Sequence, residues 1–317
     1  MSILITGALG FIGLHTAKAF LDAGHDVVCT QFSVRREPEF LADAWGKRAF
    51  IEQLDVANDE MWRTVGRKHK IDGIVHLAAP SYGPQGPKEG SAGVELRGNL
   101  AGLTNVLECA QEWGVKRVSI ASSIAVYNGV PAGPFSEDLT LRPIATHTTE
   151  AYKKTYEIVA SYHALETGLD YVAMRIAGIY GPVHHSRYHQ ITRLALAAMQ
   201  GQTTDPEREV YADDGTDYCY VKDCADAIVA LQTAPSLPNR VYNIGAGRVT
   251  THGEVADAIN AALPGARLSM KPGSAGRSRP NAYLDITRIK QDIGWQPQWP
   301  LERAIGDYMA WLKDNDD

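Results

Sequence analysis

The chain has little cysteine, no excess of positive charge and no long apolar run, and each absence excludes a class of protein. Its four cysteines form no Cys-x-x-Cys pair and lie in apolar segments, so we expect buried free thiols and no metal site. The formal net charge of −6 argues against nucleic acid as the main partner. No stretch of about 18 apolar residues occurs, so no membrane span is expected. The apolar opening leaves no room for a signal peptide, which predicts a cytoplasmic location.

The sequence does contain a glycine-rich turn between an apolar strand and an amphipathic helix near its N-terminus. Gly7, Gly10 and Gly13 follow the strand directly in the pattern TGxxGxxG. The first glycine allows a tight turn, the second lets a pyrophosphate approach the backbone, and the third lets helix and strand pack closely. The helix then presents the backbone N–H groups of Phe11, Ile12 and Gly13, at its positive dipole end, to the phosphates. This arrangement predicts a dinucleotide-binding site.

The next strand is expected to end where the adenosine ribose of a dinucleotide would be recognised. An acidic residue there would bind the 2′-hydroxyl of NAD, whereas this chain has Gln31, followed by Arg35 and Arg36. A neutral amide does not repel a 2′-phosphate, and two arginines can pair with one. The sequence therefore favours NADP slightly over NAD, with solvated loop charges as the alternative role of the arginines.

Further motifs occur in a fixed order along nearly the whole chain. In sequence they are "TGALGFIG", "LDVAN" (54–58), "VHLAAP" (75–80), "NLAGLTNVLECA" (99–110), "VSIASSIAVYN" (118–128) and "MRIAGIYGP" (174–182). Together they resemble the extended short-chain dehydrogenase/reductases of the NAD-dependent epimerase/dehydratase group. The resemblance implies an α/β fold, a Rossmann-type doubly wound parallel sheet with a smaller C-terminal substrate lobe. It places the NAD(P)-binding domain at 1–174, with a segment of about 211–245 returning to it, and the substrate lobe mainly at 175–317.

The resemblance also assigns cofactor contacts beyond the glycine turn. Asp55 and Val56 match the pair that flanks the adenine. Leu77, Ala78 and Ala79 match the strand end that runs under the phosphates and ribose.

Two further polar residues match positions close to the reacting groups. Asn99 matches the asparagine that helps to position the active-site lysine, usually through water, although from the residues alone it reads as a helix N-cap. Ser123, four residues before Tyr127, matches the serine that hydrogen-bonds the substrate oxygen. Its alternative role is to satisfy backbone groups at the strand end.

The catalytic Tyr-x-x-x-Lys pair of the family is incomplete in this chain. Its register, counted from Ser123 and from Arg175, falls on Thr149 and Lys153, so the lysine is retained and the tyrosine is replaced. In the family the lysine binds the nicotinamide ribose and lowers the pKa of the tyrosine. The one literal match, Tyr218 to Lys222, lies in a segment that resembles a later, non-catalytic family motif.

Three hypotheses for the proton transfer remain open. Tyr152, one turn further along the same side of the helix, can replace the missing phenol. Alternatively, a water or a histidine moves the proton while Ser123 and Thr149 hold the substrate. In the third hypothesis the site has lost redox chemistry and binds the nucleotide for regulation.

The C-terminal part departs from relatives that hold a nucleotide-sugar diphosphate. Arg175 begins the strand motif, and Gly178 stands where those relatives have an asparagine. Thr216 replaces an arginine, whereas Arg279 matches a substrate-side arginine. Losing a side-chain donor and a cation weakens the case for a pyrophosphate ligand and argues against a standard UDP-sugar. Arg175, Gly178 and Arg279, together with Ser123, are the predicted substrate-binding positions.

The leading prediction is an NAD(P)-dependent oxidoreductase or epimerase that acts on a hydroxyl or keto group of a sugar, sugar acid or related polyhydroxy substrate. The alternative is a non-catalytic NAD(P)-binding regulatory or sensor protein. The resemblance implies a homodimer in which helices at 99–113 and 149–166 pair across a two-fold axis. No nucleic acid, membrane or metal is expected.

Overall fold

The computed structural model describes residues 1–32, 37–79, 92–184, 189–276 and 278–315. The strands are β1 (Ser2–Thr6), β2 (Asp26–Gln31), β3 (Ala49–Gln53), β4 (Gly73–His76), β5 (Val118–Ser123), β6 (Tyr171–Ile176), β7 (Gly178–Tyr180), β8 (Gly215–Thr216), β9 (Tyr218–Tyr220), β10 (Val241–Ile244) and β11 (Thr250–Thr251). The helices are α1 (Phe11–Asp22), α2 (Asp59–Lys68), α3 (Ala92–Glu112), α4 (Thr148–Thr167), α5 (Gln190–Met199), α6 (Val221–Thr233), α7 (His252–Ala262), α8 (Thr287–Ile293) and α9 (Leu301–Asp314). Short 3-10 helices occupy Glu39–Ala44 and Ile124–Tyr127.

Seven strands form one sheet, in the order β10-β6-β5-β4-β1-β2-β3. The pairs β1–β2, β1–β4, β2–β3 and β4–β5 are parallel. The strand order reverses direction between β1 and β4, and in such sheets ligands bind outside the carboxyl ends of the strands at that point. The predicted doubly wound Rossmann-type fold is confirmed.

The core beside this sheet explains why the predicted strands and helices form. β1 is buried on both faces, since Ile3, Leu4 and Ile5 are all fully buried. A central parallel strand is expected to be apolar on both faces for this reason. One face packs on the apolar sides of α2, α3 and α4, including Trp62 and Tyr156. The chain therefore places α3 and α4 firmly beside the strand ends that carry the predicted site.

The ends of α4 are defined by two local features. His147 is the N-cap, and its Nδ1 accepts a hydrogen bond from the backbone N–H of Glu150 at 3.4 Å. Gly168 ends the helix in the left-handed conformation, with φ of 73°, which a glycine adopts without steric cost. The predicted lysine-bearing helix is therefore continuous through Lys153.

The chain divides into two compact units. The first comprises Met1–Val126, Pro143–Arg175 and Ala225–Tyr242, and the second comprises Tyr127–Arg142, Ile176–Cys224 and Asn243–Asp317. The returning segment is thus shorter than the predicted 211–245, and 127–142 groups with the second unit. The physical reason is that the backbone of Phe135 exchanges hydrogen bonds with Tyr283 and Asp285, which belong to that unit. The assignment of cofactor and substrate to separate units stays a prediction.

The second unit contains two small sheets, the parallel pair β7–β9 and the antiparallel pair β8–β11. Its helices α7 and α9 pack against each other. Across the described part of the chain, we find no helix with the length and apolarity that a membrane span requires.

Candidate functional site

The turn between β1 and α1 has the geometry that its three glycines predict. Gly7 has a φ of 67°, and the backbone N–H of Gly10 donates a hydrogen bond to the Gly7 carbonyl at 3.0 Å. A Cβ on Gly13 would lie 2.2 Å from the Gly7 oxygen and 2.6 Å from the Ala8 Cα, so no larger residue fits there. The close approach of helix and turn therefore requires glycine.

The N-terminus of α1 fits an anionic ligand. Gly10 is its N-cap, no side chain caps the helix, and no acidic residue lies in its first turn. The helix dipole and backbone amides at this end, which includes Phe11 and Ile12, favour a phosphate. The turn is thus compatible with the pyrophosphate of a dinucleotide.

Gln31 is the last residue of β2 and is only 9% exposed. Its side-chain Nε2 is buried and has no hydrogen-bond partner in the part of the chain that the structure describes. A buried donor without a partner is costly, and it is satisfied when a ligand oxygen binds there. This orphan donor lies where the adenosine ribose was predicted. Arg35 and Arg36 lie outside the described residues.

The other predicted cofactor residues follow strand ends of the same sheet. Asp55 comes after β3, and its Oδ1 accepts a hydrogen bond from Ala57 N–H at 3.0 Å, while Val56 is 6% exposed. After β4, Ala78 N–H donates to Thr6 Oγ1 at 3.1 Å, and the flanking Leu77 and Ala79 are half-buried and exposed, respectively. These hydrogen bonds involve the Asp55 side chain and the backbone N–H of Ala78. Their cofactor roles stay predictions.

Asn99 lies within α3, seven residues after the helix begins, so the interpretation of this residue as an N-cap is wrong. Its side chain is buried and bridges two helices. Its Oδ1 accepts a hydrogen bond from the Tyr156 hydroxyl at 2.8 Å, and its Nδ2 donates to the Glu95 carbonyl at 2.9 Å. The asparagine thus joins α3 to the helix that carries Lys153.

Ser123 ends β5, and its Oγ accepts a hydrogen bond from Ala125 N–H at 3.2 Å. The structural role that the sequence allowed for it is therefore present. An accepting hydroxyl retains its own proton, so Ser123 can still donate to a substrate oxygen.

Lys153 is a buried charged group of the first unit. Its side chain is 9% exposed, and burial lowers the pKa of its ammonium to about 8. No carboxylate pairs with it among the described residues. Its one described contact is with the ring of Tyr156, whose centre lies 4.9 Å from Nζ. A desolvated cation without an ion partner is expensive to keep and is typical of a functional site.

The two candidates for the missing phenol differ in their surroundings. Thr149 lies in the first turn of α4 and is exposed. Tyr152 is half-buried and packs against the same core cluster as Tyr156. Tyr156 itself is buried, and burial raises the pKa of its phenol far above the usual range. Tyr156 therefore stays protonated and is not a replacement acid or base.

The literal Tyr-x-x-x-Lys match does not form a catalytic pair. Tyr218 lies on β9, whereas Lys222 lies on α6, so no single helix carries the two side chains. Lys222 Nζ contacts both carboxylate oxygens of Asp307 at 2.9 Å.

Arg175 does not have the substrate role predicted for it. It is 5% exposed, and its Nε and Nη2 donate to the two carboxylate oxygens of Glu157 at 2.9 Å and 2.7 Å. The Glu157 carboxylate also accepts a hydrogen bond from Ser122. Because the guanidinium is buried in this bidentate pair, its role is to tie β6 to α4.

The remaining predicted substrate positions lie in the second unit. Gly178 lies close to its neighbours, because a Cβ there would be 3.2 Å from the Asp217 carbonyl oxygen, which is a tight contact, and 3.7 Å from His189 Nε2, which is an ordinary one. Arg279 is half-buried, its Nη1 donates to the Tyr127 carbonyl at 2.8 Å, and burial lowers its pKa. No carboxylate pairs with Arg279 among the described residues, so its charge remains available to an anion.

Two residues beside Lys153 were missed by the sequence prediction. Tyr156 was not among the predicted site residues, and neither was His76, which lies within the strand motif at 75–80. His76 is buried, its Nδ1 lies 2.8 Å from Thr6 Oγ1, and its Nε2 has no partner in the described ranges. Burial and the charge of Lys153 lower the pKa of His76 to about 3, so the ring is neutral. The spacing of three between Lys153 and Tyr156 was the available signal.

Comparison with known proteins is consistent with this geometry. The model of the NAD dependent epimerase/dehydratase family matches residues 3–245. The chain is 28% identical to the UDP-glucose 4-epimerase of Lacticaseibacillus casei, covering 99% of this chain and 98% of that protein. It is 28% identical to the dTDP-glucose 4,6-dehydratase of Streptomyces griseus, covering 98% and 93%. The crystal structure of the Thermus thermophilus UDP-glucose 4-epimerase in complex with NAD superposes with a TM-score of 0.77, at 25% identity and 99% coverage of both chains.

Proposed function

Because the chain belongs to the NAD-dependent epimerase/dehydratase family, we propose that it transfers a hydride between a bound nicotinamide cofactor and a carbon of a sugar-like substrate. The substrate carbon carries a hydroxyl group that is oxidised or a keto group that is reduced. The observation that carries the proposal is the ammonium of Lys153, which is desolvated and lacks an ion partner in the described ranges. Such a group is stabilised when a polar ligand binds beside it.

The nicotinamide ring, when bound, supplies the hydride acceptor or donor. The residues of the chain supply binding and proton handling. The turn from Gly7 to Gly13 and the N-terminus of α1, which has no side-chain cap, would hold the phosphates, and the unpartnered amide of Gln31 would donate to the adenosine ribose. Lys153 would donate to the nicotinamide ribose, and Ser123 would orient the substrate oxygen.

NAD is the cofactor that the relatives support, since the Thermus enzyme was solved with it. NADP is the finer prediction from the sequence, and it rests on a neutral Gln31 and on two arginines outside the described residues. Gln31 can donate to either ribose form, because an amide neither repels a phosphate nor requires a free hydroxyl. Titration of the purified protein with NADH and NADPH separates the two, and tighter NADH binding would eliminate NADP.

For the proton we favour Tyr152. It is the half-buried phenol nearest in sequence to Lys153, whereas Thr149 is exposed and has an alkyl hydroxyl that cannot ionise near neutral pH. We expect Tyr152→Phe to lower kcat by about 100-fold or more, the usual contribution of a positioned acid or base, with KM nearly unchanged. Thr149→Val is the matched control and should lower kcat by less than about tenfold.

The alternatives for the proton give different results in the same experiment. If Tyr152→Phe turns over at the wild-type rate while Thr149→Val is inactive, a water held by the threonine moves the proton. If neither change affects the rate, Tyr152 has no part in catalysis.

For the substrate we propose a sugar derivative with an anionic group. Arg279 carries a charge without a described carboxylate partner, and the relatives named above act on UDP-glucose and dTDP-glucose. The glycine at 178 and the threonine at 216 remove two donors, so a sugar acid or another singly anionic sugar is favoured over a nucleotide sugar.

The function is tested by following absorbance of the reduced cofactor during a screen of nucleotide sugars, sugar acids and neutral polyols. Turnover of any of these supports hydride transfer. Tight cofactor binding with no turnover of any of them, and no interconversion of epimers by chromatography of the products, would favour the regulatory alternative.

We also propose a homodimer formed by α3 and α4, which pack against each other in the first unit. α4 exposes an apolar stripe of Ile158, Tyr162 and Leu165, spaced four and three residues apart and 64–79% accessible. We expect Leu165→Glu to halve the mass measured by light scattering, because it places a charge in the buried interface. Phe32→Glu, at another apolar residue that is 68% exposed, should keep the wild-type mass. A monomeric wild type would overturn the proposal.

A further inference from the structure

We propose that Tyr156 is a positioning residue for Lys153, holding its ammonium with the face of the ring and anchoring that ring to α3 through Asn99. The ring is the one described contact of the ammonium, at 4.9 Å from Nζ to the ring centre. The hydroxyl of the same ring donates to Asn99 Oδ1 at 2.8 Å. One residue thus connects the lysine to the asparagine.

In this chain a single side chain connects the asparagine to the lysine. The resemblance to the family implies that Asn99 supports the lysine through a water. Here the Asn99 oxygen bonds a phenol, and the same phenol ring contacts the ammonium. The asparagine is itself fixed, because its Nδ2 donates to the Glu95 carbonyl one turn earlier in α3. The support therefore runs from the α3 backbone through two buried side chains to Lys153.

The charge of Lys153 explains why such support is needed. The side chain is 9% exposed, and no carboxylate pairs with it in the described part of the chain. Attraction to the negative face of an aromatic ring partly offsets the loss of hydration, and it is strongest at desolvated sites. A long side chain without a fixed partner would sample several rotamers, so the ring also reduces the entropy lost when a ligand binds.

The other titratable groups near the ammonium do not compete with this role. His76, at the end of β4, has its ring centre 6.0 Å from that of Tyr156 and stays neutral. Tyr152 acts electrostatically on Tyr156, and α3 presents Asn99, which does not titrate. Among these groups, the ring of Tyr156 is therefore the one expected to stabilise the charge of Lys153.

The test measures Lys153 directly. The variants Tyr156→Phe and Tyr156→Leu are compared with Tyr171→Leu, which removes a buried tyrosine from the same core cluster away from the lysine. Each protein is labelled with acetic anhydride over a pH series from mildly acidic to strongly alkaline, and modification at Lys153 is quantified by fragment-ion mass spectrometry. The neighbouring Lys154, ion-paired to Glu150, is the internal reference.

We expect the midpoint for Lys153 near pH 8 in the wild type. It should fall by about one pH unit in Tyr156→Leu, which loses the ring, and should change by less than about 0.3 in Tyr156→Phe, which keeps it. Tyr171→Leu should retain the wild-type midpoint. An unchanged or raised midpoint in Tyr156→Leu, or an equal fall in all variants, would overturn the proposal.

A second measurement addresses the anchor. Tyr156→Phe keeps the ring but loses the hydrogen bond to Asn99, so we expect its affinity for NADH to fall roughly three- to tenfold while the labelling midpoint stays in place. Unchanged affinity would show that the hydroxyl does not anchor the ring. This inference rests on the proposed function for the ligand of Lys153. If the wild type binds no nicotinamide cofactor, the proposed function fails, and the labelling experiment still decides the role of Tyr156.

Discussion

Lys153→Met is expected to lower activity strongly and, at the same time, to make the folded protein more stable. The methionine removes the ammonium that we propose donates to the cofactor ribose, so kcat/KM should fall by about 100-fold or more. The fold should gain stability because burial lowers the pKa of this lysine from 10.5 to about 8, and each pKa unit represents about 1.4 kcal/mol. The wild type therefore carries a penalty of roughly 3 kcal/mol at neutral pH that methionine does not.

The lowered pKa of Lys153 also predicts how the stability of the wild type changes with pH. Between about pH 8 and 10.5 the unfolded chain binds the proton of Lys153 and the folded chain does not, so wild-type stability should rise with pH through this range. In Lys153→Met that rise should be absent. Thermal unfolding at neutral pH and at about pH 10 measures it.

Lys154→Met is the matched control because the adjacent lysine has the opposite environment. Its Nζ lies 2.7 Å from Glu150, which is 1% exposed, so the methionine would remove the positive charge that faces this buried carboxylate. Lys154→Met should therefore destabilise the fold. If both variants are destabilised alike, burial of the Lys153 ammonium does not reduce the stability of the fold.

Local sequence patterns predicted the glycine turn between β1 and α1, because that turn is determined by contacts between residues close together in the sequence. The glycines between β1 and α1 are required by contacts within the turn itself, such as the 2.2 Å approach of a Gly13 Cβ to the Gly7 oxygen. The position of Lys153 followed from counting along the chain, and it coincides with a buried lysine that lacks an ion partner in the described ranges. The site roles assigned by resemblance stay predictions.

Longer-range contacts could not be derived from the same patterns. Arg175 was expected at the substrate, but its partner Glu157 comes from a different element, and the pairing depends on how α4 packs on β6. Asn99 was taken as a possible N-cap because no start signal was recognised for α3, which begins at Ala92. The support of Lys153 by Tyr156 likewise depends on the side-chain directions within α4 and on the distance to α3.

The largest stability change is expected for Glu157→Gln, because it breaks the buried ion pair that holds the lysine-bearing helix to the sheet. The carboxylate is 11% exposed, and it receives two bonds from Arg175, whose side chain is 6% exposed. An amide cannot balance that guanidinium, and removing one partner of a buried pair costs about 3–5 kcal/mol. The melting temperature should fall by roughly 6–15 °C in calorimetry.

Two further variants distinguish this ion pair from ordinary surface charges. Glu60→Gln breaks an ion pair with Arg67 in which both side chains are largely exposed, and it should leave the melting temperature nearly unchanged. The double variant Glu157→Leu with Arg175→Met removes both charges, so it should be more stable than Glu157→Gln. If the double variant is instead the less stable of the two, the cost arises from lost packing and not from an unpaired arginine. A helix held by such a pair keeps Lys153 in register with β5 and Ser123, so Glu157→Gln should also weaken cofactor binding, whereas Glu60→Gln should not.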